Sequence, residues 1–268
     1  MLTSFLAAIS FLSIIPLRPK FALTPKQISD SRAYYPIIGL LIGCLLVLIG
    51  QACSYAFTTS ITAAILTIFL AVITRGLHLD GLMDISDGLF GGYSTQRRLE
   101  IMKDSHVGAF AVLSAVLILI LKYSAILSIL NMPFPGNEYA LILAPTISRW
   151  SMVLQLTMFP YARREGGLGS PFQDNSARLT SSLAALTACV SVIILGGAGG
   201  IGLLVLLSIF AYGVGLVISR MLGGLTGDVY GATNELTEAA GLVLAVPLIA
   251  HGWLAPFMRV AEWLPEFL

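Results

Sequence analysis

Three aspartates, Asp80, Asp84 and Asp87, stand at i, i+4 and i+7 in LHLDGLMDISDGL (77–89). In a helix that spacing puts all three carboxylates on one face, about two turns long. Like charges so close repel one another and weaken the helix that carries them, so a bound cation is the economical partner. Hard carboxylate oxygens suit Mg²⁺, which takes one or two carboxylates together with water and substrate phosphates. Gly81 and Gly88 leave room beside the acids for a diphosphate to approach the backbone. The bland alternative is three acids that merely solvate a helix end, and the lack of a Lys four residues after any of them argues against it. An EF-hand Ca²⁺ loop is excluded by the spacing.

A second acidic group, Asp228, Glu235 and Glu238, lies in GGLTGDVYGATNELTE (223–238). Asp228 and Glu235 are seven apart and share a face if helical. Gly223, Gly224, Gly227 and Gly231 make the approach permissive, and Thr226 or Thr233 suits a helix cap. Two acidic faces at one mouth would clamp attacking and leaving oxygens through two metals. Basic residues complete the kit: Arg97, Arg98 and Lys103 beside Glu100 and Asp104, then Arg163 and Arg164 before GGLG (166–169). Arginine grips phosphate bidentately, although a cytoplasmic bias of basic loops explains the same residues. Arg149, inside an apolar run, calls for a functional partner or a structural acid. His78 and His106 suit proton tuning, a substrate edge, or plain interfacial hydrogen bonding; His251 reads as structural. No GxSxG, HExxH, CxxC or Walker A pattern is present.

The elements that must position these groups are mostly hydrocarbon-compatible. Of 268 residues, 57% are hydrophobic and 11% charged, and mean hydropathy is +0.89. Soluble domains carry roughly 25% charged residues, so the composition excludes an ordinary soluble domain. Runs near the ~20 residues a bilayer requires predict an all-α, polytopic integral membrane helix bundle, one catalytic domain over 1–268. Spans are expected at about 36–57, 61–79, 108–130, 139–159, 181–196, 201–219 and 239–256, seven in all. If the second runs on as helix beyond the membrane, it carries the three aspartates on one face. The GGAGG turn (196–200) separates the fifth from the sixth, and Gly39 and Gly43 form a GxxxG pair in the first. The opening apolar residues lack a basic n-region and precede Pro16 and Pro19, which predicts a short interfacial or half-inserted helix, not a cleaved signal. Cys44, Cys53 and Cys189 sit in apolar runs without metal-ligand spacing.

Segments 17–35, 75–107, 160–178 and 219–238 hold twelve of the fifteen Lys and Arg residues, while the alternate loops hold none. The positive-inside tendency puts all four polar segments, and so the chemistry, on the cytoplasmic side of a prokaryotic inner membrane. The net charge of +1 gives no case for nucleic-acid binding.

LHLDGLMDISDGL (77–89), RRLEIMKDSHVGAFAV (97–112) and GGLTGDVYGATNELTE (223–238), with YYPIIGLLIG (34–43) and YARREGGLG (161–169), closely resemble the motifs of the cobalamin synthase family. The resemblance covers nearly the whole chain in order. It implies an Mg²⁺-dependent membrane transferase in which α-ribazole or its 5′-phosphate attacks the corrinoid-proximal phosphorus of adenosylcobinamide-GDP and GMP leaves. On that reading Asp80, Asp84, Asp87 and Asp228 ligate Mg²⁺, and Asp104 or Glu235 assists deprotonation. Arg97, Arg98, Lys103, Arg149, Arg163 and His78 bind substrate. Expected partners are those small molecules, membrane lipid and, as an option, a second copy in a homo-oligomer. Asp84-Ile-Ser-Asp87-Gly88 also matches the DxxDG opening of the CDP-alcohol phosphotransferases, but Leu89-Phe90 replaces the Ala-Arg that follows there. The rivals are therefore a lipid-headgroup phosphotransferase and, from another class, a cation- or proton-coupled transporter. Against the transporter, nearly all ionisable residues cluster toward one face and only Lys122 and Arg149 are deep.

Overall fold

The computed structural model describes residues 1–15, 17, 22–162 and 177–256, the side chain of Ala177 excepted. Ten α-helices occupy the described residues: α1 Leu2–Leu12, α2 Pro25–Asp30, α3 Tyr35–Ser54, α4 Thr59–Ile73, α5 Leu77–Gly91, α6 Thr95–Ile101, α7 Ala109–Leu130, α8 Gly136–Met158, α9 Ala177–Leu222 and α10 Gly227–Ala250. The all-α expectation holds. Three helical stretches, Pro25–Ser54, Ala109–Leu130 and Arg178–Leu222, are long and apolar enough to cross a bilayer, and α4 with α5 makes a fourth if that bent pair is one span. Their outward faces carry apolar side chains such as Leu48, Ile68, Leu117 and Ile194, all exposed. On a water-soluble protein such a surface would aggregate; against lipid tails it is the appropriate one.

Two helices organise the interior. α8 packs on α3, α9 and α10, and α10 packs on α5, α7, α8 and α9. The GxxxG pair has a definite use: Gly39 lies on the backbone of Pro145, and a Cβ on Gly43 would stand 2.5 Å from Ile142 Cα. Helix backbones in contact gain dispersion energy at every turn, which matters where water supplies no hydrophobic drive between helices.

Three local features depart from or sharpen the expectations. First, the second span does not run on into the aspartates. α4 ends at Ile73, the chain turns through 82°, and α5 begins afresh at Leu77. Arg75 (φ 58°) and Gly76 (φ 70°) both adopt the left-handed conformation that makes the bend. Glycine takes that geometry freely and arginine at a cost; the Arg75 guanidinium is anchored by donating to Ser10 O of α1 at 3.1 Å. Second, α9 is two limbs broken at Gly197 (φ 55°, ψ −137°), inside the expected turn. A Cβ on Gly200 would stand 2.6 Å from Val192 O, whereas eight residues of straight helix span about 12 Å. The limbs fold back on each other: Ser181 meets Thr157 at 2.8 Å and Gln155 Nε2 donates to Ala211 O at 3.0 Å, near one end of α8. Third, the polar segment 219–238, expected on the cytoplasmic side, enters α10 at Gly227, and its Thr233, Asn234, Glu235, Thr237 and Glu238 are all buried. Glu235 and Glu238 are neutralised by partners inside the bundle instead of by water.

Candidate active site

α5 carries Asp80, Asp84 and Asp87 on one helix, as the spacing predicts. Asp80 is exposed and Asp84 and Asp87 half-buried. Asp80 borders a cavity of about 510 Å³ lined also by Arg75, Gly76, Leu77, Leu79 and Met83. Helix α10 crosses this face closely. A Cβ on Gly81 would stand 3.1 Å from Asp228 Cα, and one on Gly231 would stand 3.1 Å from His78 Cα. Gly81 thus keeps its place because a side chain there would push away the helix that brings Asp228 beside the turn bearing Asp80 and Asp84. The Gly223-Gly224 pair serves the same end from below. Gly224 (φ 148°) presses on 160–162, where Ala162 N donates to Leu225 O and Leu225 N to Pro160 O, both at 2.8 Å. Thr226 sits at the N-cap of α10 but makes no capping bond there; its hydroxyl donates to Asp228 Oδ2 at 3.1 Å.

Asp87 has a different task. Its Oδ2 accepts from Gly108 N at 2.7 Å and its Oδ1 from Ala111 N at 2.9 Å. These are orphan donors of the first turn of α7, whose own N-cap, Gly108, has no side chain to offer. Asp87 therefore caps α7 from another helix, and its negative charge sits where the helix dipole favours it. A side chain at position 108 would strike that carboxylate, at 2.6 Å from Oδ1. Replacing Asp87 with Ala is expected to cost about 1–2 kcal/mol, the usual range for losing an N-cap, with thermal unfolding in detergent as the check. Unfolding within error of the wild type would show the cap to be idle.

The second acidic group divides. Asp228 lies at the α5 crossing, while Glu235, seven residues and about 10 Å further along α10, is buried with Glu238. Lys122 of α7 donates to Glu235 Oε2 at 2.7 Å and to Glu238 Oε1 at 2.6 Å, and Arg149 of α8 donates to Glu238 Oε2. Two cations and two anions thus cancel inside the bundle, each 4% exposed or less. His78 is within electrostatic reach of Lys122, Arg149 and Glu238. Arg149, expected to bind substrate, meets the structural alternative, an acid partner. Sequence reasoning noted Lys122 as deep but gave it no partner, although a lone cation in the middle of the apolar α7 is itself a signal that an acid awaits it.

The remaining expected groups stay apart from this core. Arg97 pairs with Glu100 at 3.3 Å on the exposed α6. Arg98 Nη1 donates to Met221 O at 3.4 Å and Thr95 Oγ1 to the same carbonyl at 2.9 Å, so both dock α6 onto the C-terminal end of α9. Lys103 is exposed, and Arg163 lies outside the described residues. Asp104 and His106 form a contact of 2.5 Å between Oδ1 and Nδ1 in the exposed turn before α7. The hydrogen bond from His106 lowers the pKa of Asp104, and the hydrogen bond and charge of Asp104 raise that of His106. The pair is intact between those two values, and it loosens when pH rises past the upper or falls past the lower. NMR titration is expected to place His106 above the ordinary ~6.5 and to return it there in Asp104→Asn; an unshifted His106 would refute the pairing.

Among the described residues, no three His, Cys, Asp or Glu side chains come together as a metal-holding group. A cage of four carboxylates is not what α5 and α10 build. Magnesium asks less, one or two carboxylates completed by water and substrate phosphates. The hard oxygens of Asp80, Asp84 and Asp228 at one helix crossing suit that demand.

Comparison with known proteins agrees with the motifs. The family described as cobalamin-5-phosphate synthase matches residues 4–246. A protein of Syntrophobacter fumaroxidans named adenosylcobinamide-GDP ribazoletransferase is 39% identical over 240 residues, covering 89% of this chain and 96% of the relative. One of the same name from Desulfitobacterium hafniense is 38% identical over 247 residues, covering 90% and 96%. No solved structure matches the chain. With a family match over residues 4–246 and relatives this similar over most of their length, the chain belongs to the cobalamin-5-phosphate synthase family.

Proposed function

We propose that this chain catalyses the reaction its relatives are named for, as an adenosylcobinamide-GDP ribazoletransferase in the last steps of cobalamin assembly. The hydroxyl of α-ribazole or α-ribazole 5′-phosphate attacks the corrinoid-proximal phosphorus of adenosylcobinamide-GDP. An O–P bond forms, the phosphoanhydride bond breaks, GMP leaves, and the hydroxyl proton passes to a base. The observation that supports this most is the α5 face with Asp80 and Asp84 crossed at Gly81 by Asp228 of α10, in a chain of this family.

Phosphoryl transfer of this kind needs in-line positioning and neutralised charge more than covalent help from the protein. Asp80, Asp84 and Asp228 would hold Mg²⁺, one or two of them at a time beside water and phosphate oxygens, and the ion would neutralise charge on the diphosphate. Lys103 and Arg97, exposed on and after α6, are the cations assigned to the nucleotide. Asp104 is the favoured proton acceptor over Glu235, because Glu235 is engaged by Lys122 while Asp104 is exposed with His106 beside it. Asp87 serves the site by fixing α7.

In the membrane the arrangement reads as seven spans: α3, α4 with the bend into α5, α7, α8, the two limbs of α9, and α10. Helix α1 lies in the interface. The basic segments support a reading in which the α5 face looks toward the cytoplasm of a prokaryotic inner membrane. The deep charges cancel one another, which favours an enzyme with a braced interior over a coupled transporter with a vacant ion site.

The test uses detergent-purified protein with Mg²⁺, adenosylcobinamide-GDP and α-ribazole. Release of GMP together with a corrinoid carrying the lower ligand is expected, and chelation of the metal is expected to stop both. A folded protein that yields neither, or that yields a lipid-soluble phosphodiester, refutes the proposal.

A further inference from the structure

The cavity of about 510 Å³ beside the bend before α5 is lined by one cation and one anion, Arg75 and Asp80. Neither comes within ion-pair distance of an opposite charge, each other included, among the described residues. The cavity's size falls within the ~300–1,000 Å³ usual for a small-molecule site. A ligand that brings a metal to the carboxylate and a phosphate to the guanidinium answers both charges at once.

Arg75 is also the one residue other than glycine with a positive φ among the described residues, at 58°. Glycine or asparagine makes such a bend at less cost. The bond from Arg75 Nη2 to Ser10 O at 3.1 Å makes an arginine tolerable there without saying why one is present. It uses one of the five N–H groups a guanidinium carries. One edge of the fork is therefore held in place, and the rest of it stays available to a ligand. A side chain kept in a costly backbone conformation at the rim of a cavity calls for a function of that side chain.

The other described cations near the site are engaged elsewhere. Arg97 faces Glu100, Arg98 docks α6 on Met221 O, and Lys122 and Arg149 serve the buried glutamates. A diphosphate adds negative charge to a face that already carries Asp80, Asp84 and Asp228, and one divalent ion does not balance them. We propose that Arg75 is a substrate-binding residue, its guanidinium holding the donor's diphosphate in the cavity it shares with Asp80. The inference rests on the transferase function proposed above and adds a contact that does not pass through the metal. The grip is that of a fork on two phosphate oxygens, which a lysine reproduces poorly.

The experiment measures binding of adenosylcobinamide-GDP and of α-ribazole separately, by calorimetry in detergent, with Mg²⁺ and again with EDTA. Wild type is compared with Arg75→Asn, Arg75→Gly and Arg75→Lys. Asparagine and glycine keep the left-handed bend, so both variants are expected to melt near the wild-type temperature. Donor affinity is expected to fall about tenfold or more in both, with EDTA as with Mg²⁺, and to recover only in part in Arg75→Lys. Affinity for α-ribazole is expected to stay within twofold. Unchanged donor affinity in folded variants overturns the proposal. So does a parallel loss of both affinities with a lowered melting temperature, which would make Arg75 a tie between α1 and the bend. Membrane lipids carry phosphate too, so phosphatidylglycerol is titrated alongside. Lipid binding that Arg75→Asn abolishes while donor affinity persists makes Arg75 a lipid contact and overturns the proposal as well. A wild type that binds donor through Arg75 but releases no GMP with α-ribazole sinks the transferase reading alone. A wild type that binds donor in neither condition sinks the function and the contact together.

Discussion

Lys122→Met is expected to destabilise the protein by about 3–5 kcal/mol, the usual cost of stripping one partner from a buried ion pair. Lys122 bridges Glu235 and Glu238 at 2.7 and 2.6 Å. Without it Glu238 still has Arg149, but Glu235 is a carboxylate in the bundle interior with its cation gone. The loss therefore reflects an uncompensated charge more than a missing attraction. The distinction is testable, because Lys122→Met combined with Glu235→Gln restores neutrality and is expected to recover most of the stability. Thermal unfolding in detergent reads both. If Lys122→Met melts with the wild type, or if the double variant is as unstable as the single one, the quartet is not acting through charge balance.

Asp84→Asn is the second large effect, this time on chemistry. The substitution keeps shape and removes the charge that the proposed Mg²⁺ site needs. Metal stabilisation of a phosphoryl transition state is worth several kcal/mol, so a loss of transfer of roughly 100-fold or more is expected. The half-saturating Mg²⁺ concentration should rise as well, and Asp228→Asn should behave alike from the other helix. Asp87 supplies the contrast: its carboxylate is already engaged by Gly108 and Ala111, so its replacement should weaken folding more than Mg²⁺ dependence. Folded Asp84→Asn and Asp228→Asn proteins with full Mg²⁺-dependent transfer would remove both residues from the site.

What the sequence disclosed was local and periodic. The i, i+4, i+7 spacing placed Asp80, Asp84 and Asp87 on one helix, and the glycine run at 196–200 marked the reversal in α9, because each is settled within a turn or two of chain. Gly39 and Gly43 announced a close helix contact without naming α8 as its partner. The misreadings share one cause, a contact distant in sequence. The capping role of Asp87 was out of sight because the helix it caps begins 21 residues on. The burial of Glu235 and Glu238 was hidden because their charge is balanced by Lys122 and Arg149 on other helices. The bend before α5 was hidden because Arg75 is an unusual residue for a left-handed position, and only its tie to Ser10 explains its tolerance there.

The distance along the chain between Lys122 and its acids has a consequence in time. Glu235 and Glu238 follow it by 113 and 116 residues, and ribosomes add about 5–20 residues per second. For about 6–23 s after Lys122 is made, neither glutamate exists. The lysine must spend that interval hydrated at the membrane surface, uncharged, or sheltered by the insertion machinery. The nascent α7 cannot settle in its final place before α10 has been synthesised.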